Sequence, residues 1–590
     1  MPLQAIRFRS ASLSDLLSAV MLFTMAANSF AVEPASIKTA QGVTLQWKSL
    51  EIPKALVAVG VWGDMVKWRE ALHHQGIEYD DGYRYQNGYH RPAVQMVDIP
   101  TELADYRRYS TVVLINVDAP ALGAARLAAI RQFVEQGGGL VVLGGYWAFE
   151  RGAYADTPLA ELLPVELQPR GDLPQDRAGA ILTAGPASDW NWNQINFAAQ
   201  PRTFYLHSLV AKPNAQVILQ AGKHPAMIAG EFGQGRVVAS ALTVNGLSTS
   251  DALAFWDWAD WPAVLGQTIE WAGANRPLNT QTTTAATTAP IDEEEAEKLR
   301  LEFQPLSKDV VARFTASPTA PAADAIFAIL FPENKPKIEL TDELVAALAA
   351  QAQAEWSETL ERVADSLNPS LQQRSAALEL LGATKSPAAT KILLAALNDT
   401  DVATGAIAGL RRTNDAAPRP ALIKLYEKHL ASSDFRNYGE DSLGNTSAGV
   451  EGRIAIASAI ALYHLGDPGG VERLVNLHRE IRVLRRIFSN AAKRRVVETD
   501  PTGIALRAAI YKKAGDFSAL EQQLLAAAGP VPVSQHQAFV TFAKSATQPE
   551  DVLWLAAALH RTPGNTDWSG LSQAKDGIVR RLATAEAQKQ

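Results

Sequence analysis

The sequence predicts an α/β domain built on a parallel sheet, followed by an all-α region of short helices. Three observations carry this expectation. Apolar runs of strand length alternate with helical spacing between residues 55 and 143. Strand patterns disappear beyond about residue 340, where short amphipathic helices take over. Between the two halves lies a stretch of Thr, Ala, Gln and Pro that cannot bury a core. A chain of 590 residues is long enough for several domains.

Ala55-Leu56-Val57-Ala58-Val59-Gly60-Val61 is continuously apolar, as a strand covered on both faces must be. Met65, Trp68 and Leu72 then follow helical spacing until Gly76, which suits a carboxyl cap. Thr111–Val117 reads as a second buried strand. Asp118-Ala119-Pro120 opens the next helix, with Leu127, Ile130, Phe133 and Val134 on one face. Gly137-Gly138-Gly139 stops it before a third strand, Leu140–Leu143. Strand, helix, strand in this rhythm predicts a parallel sheet. Residues 226–229 and 236–241 flank Glu231-Phe232-Gly233-Gln234-Gly235 as a hairpin would, and a helix over 262–272 closes the domain near 275. Residues 79–91, dense in Tyr, Asp and Gly, read as a loop.

The amino terminus reads as a secretory signal. Arg7 and Arg9 precede an apolar stretch over 16–27, and Ser29-Phe30-Ala31 offers a cleavage site. No later segment looks long and apolar enough to span a bilayer. The expected product is a soluble bacterial protein, periplasmic or secreted. The absence of cysteine excludes disulfides, thiolate metal sites and a thiol nucleophile. A net charge of −7 without a large basic block argues against nucleic-acid binding. The histidines form no cluster at ligand spacing, and no phosphate-loop pattern is present, so no metal or cofactor is implied.

The run RYSTVVLINVDAPALGAARLAAIRQFVEQGGGLVVLGG, then YADTPLAELLPVEL and HPAMIAGEFGQGRVVASA, resembles glutamine amidotransferase-like domains, relatives of the class I glutamine amidotransferase and trehalose-utilisation folds. The resemblance covers about 50–275 and implies a flavodoxin-like parallel sheet. The family's glutaminase places a cysteine on a strand-to-helix elbow, with a His and an acid two residues apart on a later strand. Here the elbow reads Gly144-Gly145-Tyr146-Trp147-Ala148-Phe149-Glu150, and the last strand runs into Thr243-Val244-Asn245-Gly246. Neither triad part is present, so the thiol-dependent reaction is excluded and a non-catalytic role is expected. His224 has no acid two residues on and is set aside.

Open α/β sheets bind ligands beyond the carboxyl ends of their strands. The groups expected there are Trp62, Gly144, Gly145, Tyr146 and Trp147 as ligand contacts, and Asp64, Asp118 and Glu150 as candidate acids. Aromatics and carboxylates around glycine turns suit a sugar or another small polar ligand. The competing reading packs Trp62 and Trp147 into the structure and makes Asp118 a helix cap. The Trp-rich segments 189–193 and 255–261 are expected to anchor a core or interface.

Helices are expected over 371–382, 387–397, 402–411 and 418–430, and again from 455, with a repeated turn at Gly515-Asp516-Phe517. Pro387 and Pro418 lie 31 residues apart, close to the period of paired-helix repeats. This half resembles degenerate HEAT-type repeats, which implies a protein partner. Asp292-Glu293-Glu294-Glu295 suits a first helical turn. Arg482, Arg485, Arg486, Lys493, Arg494 and Arg495 are read as a solvated helix face or a contact for an acidic partner. The expected domains are a signal at 1–31, an α/β domain at 50–275, a linker at 276–291 and a helical domain at 340–585.

Overall fold

The apolar runs become the centre of a sheet because every second side chain meets a different helical layer. In the computed structural model, the described residues are 36–38, 44–46, 52–85, 95–168, 173–187, 190–245, 252–274, 290–302, 307–331, 340–366, 369–432, 449–494, 501–562 and 566–587. The signal reading and most of the Thr-rich linker lie outside them. The chain divides into two units, Met1–Ser49 with Gln281–Thr283, and Leu50–Thr280 with Thr284–Gln590. The first holds an antiparallel pair, Ser36–Lys38 with Thr44–Gln46.

The sheet of the second unit contains β1 (Lys54–Val59), β2 (Glu78–Tyr85), β3 (Gln95–Val97), β4 (Thr111–Ile115), β5 (Gly139–Leu143), β6 (Gln175–Ala184), β7 (Arg202–Tyr205), β8 (Gln216–Ala221), β9 (His224–Phe232) and β10 (Gly235–Ser240). Their order across the sheet is β7-β6-β8-β9-β10-β5-β4-β1-β2-β3. Strands β10, β5, β4, β1 and β2 are parallel. The rest pair antiparallel, and β9 and β10 form the expected hairpin.

Val57, Val113 and Val141 join one core with helices α1 (Trp68–Gln75) and α3 (Trp261–Gly273). Leu56, Leu114 and Val142 face the other, where α2 (Ala119–Glu135) contributes Ile130 and Phe133. Phe255, Trp256, Trp258 and Trp261 are buried in the first core, as anchors rather than an exposed platform.

One strand departs from the sequence reading. Residues 78–85 form β2, not a loop, in parallel register with β1 from Lys54↔Glu78 to Val59↔Tyr83. Its Tyr and Asp content reflects what covers it: Asp81 and Tyr83 meet arginines of the helical half, described below, rather than apolar side chains. Residues 86–91 of the same reading lie outside the described residues.

In the helical half, the acidic run starts a helix at Glu293, and Asp292 accepts the Glu295 N–H at 2.8 Å. Helix α4 (Leu371–Ala383) packs on α5 (Ala403–Arg412), and α6 (Arg419–Ser432) packs on α7 (Val450–His464). Helix α8 (Gly470–Arg494) packs on α9 (Pro501–Ala527), and α7 touches both α5 and α8. A Cβ on Gly382 would lie 2.0 Å from the Gly409 carbonyl oxygen, so glycine sets the close α4–α5 approach. The expected turn at 515–517 is absent. Helix α9 continues through Gly515 because fully buried Phe517 stacks on Phe488 of α8, centroids 5.3 Å apart. That packing outweighs a glycine penalty of about 1 kcal/mol.

The two halves meet along α1 and β2. Helix α11 (Gly577–Ala587) crosses α1, where a Cβ on Gly577 would lie 2.2 Å from His73 O. His73 bonds Asp576, and His560 of α10 (Pro549–Arg561) lies 2.8 Å from Glu78.

Candidate functional site

The parallel strands deliver three loops to one edge, and the backbone there is unusual. Trp62 (φ 56°) and Lys67 (φ 53°) follow β1, Asn116 (φ 51°) follows β4, and Phe149 (φ 55°) and Ala153 (φ 56°) follow β5. These are five of the nine non-glycine residues with positive φ among the described residues. Each such conformation costs about 1 kcal/mol, so their concentration marks a geometry the surrounding packing imposes.

Asn116 tolerates that backbone better than most residues, and it ties the loops together. Its Nδ2 donates to Val61 O at 2.7 Å, and its Oδ1 accepts the Trp147 N–H at 2.5 Å. At the elbow, the Gly144 N–H donates to Ser240 O at 2.9 Å. His207 is 1% exposed, and its Nε2 stands 3.3 Å from Gly145 N and 3.0 Å from Gly145 O. The tautomer decides which of the two it bonds. Phe149 packs edge-on against the His207 ring at 4.9 Å.

Neither elbow glycine has room for a side chain. A Cβ on Gly145 would lie 2.2 Å from Asn116 Cγ, and one on Gly144 would lie 2.7 Å from Leu242 O. The amides of Gly144 and Trp147 are spent internally, so they are not free to hold a developing oxyanion.

The expected contact residues fall into two groups. Gly144 and Gly145 are buried in the elbow, whereas Trp62 is 41% exposed and Met65 44%. Tyr146 and Trp147 are half-buried, edge to face at 5.2 Å, and the Arg151 guanidinium lies 4.2 Å from the Tyr146 ring centroid.

The three candidate acids occupy different surroundings. Asp64 is exposed and takes Arg69 Nη1 at 2.6 Å. Asp118 is 2% exposed at the amino end of α2, and its side chain makes no capping bond. Glu150 is half-buried in the turn after β5. Buried Tyr154 donates to Val117 O at 2.5 Å; burial and then the Asp118 charge push its hydroxyl above the usual range. Among the described residues, no group of three or more His, Asp or Glu side chains could hold a metal.

From Asp64 a chain of charges leads into the helical half. Arg69 Nη2 reaches Asp81 at 3.2 Å and the Tyr83 hydroxyl at 2.7 Å. Tyr83 donates to Asp81 and accepts from Arg486 of α8. Arg482 lies 3.8 Å from Asp81 and 2.8 Å from Glu521, which also takes Arg485 at 2.6 Å. Burial alone would raise the Asp81 carboxyl; the Tyr83 bond and Arg482, Arg69 and Arg486 overcome it and hold the carboxyl below its ordinary range. The basic concentration is thus no solvated face: Arg482, Arg485 and Arg486 meet carboxylates and a tyrosine of the same chain. The side chains of Lys493, Arg494 and Arg495 lie outside the described residues.

Sequence reasoning missed His207 and Asn116. His207 was hidden because the family template asks for an acid two residues away, and Leu209 stands there. Asn116 carried a usable signal, an asparagine ending an apolar strand where positive φ is common.

With the geometry described, residues 94–272 match the family described as "GATase1_like: Putative glutamine amidotransferase". No curated protein matches the chain. Among solved structures, a cytoplasmic protein of Salmonella typhimurium LT2 is 18% identical, covering 37% of this chain and 99% of its own, with a TM-score of 0.32. A second cytoplasmic protein of Salmonella typhimurium is 18% identical, covering 38% and 99%, with a TM-score of 0.31. A cold-adapted β-galactosidase from Rahnella sp. R3 is 14% identical, covering 33% and 29%, with a TM-score of 0.23. No helix among the described residues is long and apolar enough to cross a membrane.

Proposed function

We propose that this chain is a non-catalytic exported binding or scaffold protein. Its glutamine amidotransferase-like domain, over 50–275, recognises a ligand at the carboxyl edge of the sheet. Its helical domain, over 340–585 and built as HEAT-like repeats, engages a protein partner. The observation that carries the reading is the elbow. The elbow Gly144–Glu150 holds neither Cys nor Ser, Asn116 crowds Gly145 and Leu242 crowds Gly144, and His207 lies over Gly145. The charged residues 7 and 9 ahead of an apolar stretch support export to a periplasm or medium.

A more specific reading of the same edge is carbohydrate recognition. Exposed Trp62, in a backbone conformation that costs energy, sits after β1, while Tyr146, Trp147 and Arg151 sit after β5. Aromatic faces pack on sugar rings, and of the candidate acids Asp64 and Glu150 are the carboxylates that would take up hydroxyls, since Asp118 is 2% exposed. A thermal-shift screen of sugars and amino acids tests both readings. A saturable rise in Tm that Trp62→Ala reduces at least tenfold in affinity is expected for a sugar. A ligand bound equally well by Trp62→Ala contradicts the carbohydrate reading, and a full panel without any shift contradicts recognition of these ligands.

A further inference from the structure

The opposite end of the sheet carries a different kind of cavity. Ile52 precedes β1, and His74 and Gln75 end α1, so they lie at the amino edge, away from Trp62 and the elbow. There α11 crosses α1, and between them runs a groove of about 570 Å³. Its polar lining is His74, Gln75, Ser572, Arg580, Arg581 and Thr584; among the described residues no carboxylate lines it. The groove therefore exists only where the two halves of the chain meet.

Its charged lining residues are arginines, with the Glu270 carboxylate behind one of them. Arg581 is held in place, with Nη1 2.9 Å from Glu270 and donating to Gln75 O at 3.3 Å. Arg580 is different: its Nη1 donates to the carbonyls of Ala574 and Lys575 at 2.6 and 2.7 Å, and among the described residues it has no carboxylate partner. His74 is exposed and adds a further donor when protonated. The Ser572 and Thr584 hydroxyls donate to Ser569 O and Arg580 O at 2.8 and 2.9 Å and would have to turn from these carbonyls to meet a ligand. The bond from Arg581 to Gln75 O offsets the negative end of α1, which would otherwise repel an anion. Asp576 does not compete inside the groove. It accepts the Ile578 and Val579 N–H groups at 2.8 and 3.3 Å and also bonds His73.

A second groove provides the contrast. About 480 Å³ in volume, it lies between α6 and α8, and Glu472 and Glu480 line it beside Arg473 and Arg479. Two carboxylates stand beside its two guanidinium groups, and Arg473 and Arg479 are already paired with Asp467 and Asp551. A carboxylate-free groove with two guanidinium groups stands out in a chain whose net charge is −7.

We infer that the α1–α11 groove binds a small oxyanion bearing two or more negative charges. Forked guanidinium donors match paired anionic oxygens. Such a ligand bridges the two halves and stabilises their docking.

The test uses the full chain and titrates inorganic pyrophosphate and succinate against sodium chloride at matched ionic strength, followed by calorimetry and Tm. One of the two anions binds saturably to the wild type and raises Tm, and which one it is separates a phosphoryl from a carboxylate ligand. Arg580→Gln weakens that binding by about tenfold, read by calorimetry on the folded variant at a temperature below its own ligand-free Tm. His74→Gln, on a residue with no structural bond, weakens it by a smaller factor. Absence of saturable binding by either anion, or an affinity unchanged by Arg580→Gln, overturns the inference.

Discussion

The elbow after β5 and the largely covered junction between β2 and α8 are held by opposite means. The elbow is nearly free of charge: two glycines pack against Asn116, His207 and Leu242 at distances that leave no room for a methyl group. The β2–α8 junction is dense in charge, with Arg69, Arg482, Arg485 and Arg486 set against Asp64, Asp81 and Glu521. The first region fixes the shape of the candidate ligand edge by steric fit. The second joins the two halves electrostatically, and its stability depends on protonation.

The largest effect is expected at the charged junction. Asp81→Asn leaves Arg482, Arg69 and Arg486 without their shared carboxylate and costs about 4 kcal/mol, read as a fall in the denaturation midpoint. A loss below about 1 kcal/mol breaks the claim that the junction depends on charge. At the elbow, Gly145→Ala forces Asn116 aside and costs about 3 kcal/mol, since both Asn116 hydrogen bonds go with it. That cost is steric and should be the same at pH 5 and pH 8. A marked pH dependence of the Gly145→Ala penalty breaks the contrast between the two regions.

Acid separates them further. His478 of α8 is fully buried, 3.7 Å from Glu521. Burial, with Arg482 nearby, pushes its imidazole down to about 3. The unfolded chain takes up that proton near pH 6.5 and the folded chain does not. The His478 contribution is therefore complete above pH 6.5 and is lost as pH falls toward 3. Stability should drop by about 2 kcal/mol between pH 8 and pH 5 from this residue alone, and His478→Gln should flatten that slope. The Asp81 carboxyl, held low, adds a loss only below about pH 4.

Much of the sheet was legible because β1, β4 and β5 are covered on both faces, and such strands must be apolar throughout. Strand β2 was not, because one of its faces meets arginines and a polar run reads as a loop. The partners of those arginines, Asp81 and Glu521, are far away in sequence, and no local spacing announces them. In the candidate site, the exposed Trp62 and the glycine elbow could be named from strand ends alone. His207 arrives from a separate loop after β7, and only the folded chain brings it to Gly145. The helices were legible from their apolar spacing, whereas Gly515 misled because buried Phe517 carries α9 past it.

An elbow closed to acyl transfer releases no ammonia from glutamine, and a direct ammonia assay tests this. Wild-type protein and the His207→Ala variant are compared in the same assay, with hydroxylamine added to trap any acyl-enzyme. The account predicts no ammonia above buffer and no hydroxamate from either protein. Steady, protein-dependent release by the wild type that His207→Ala abolishes would contradict it and make the elbow an active site.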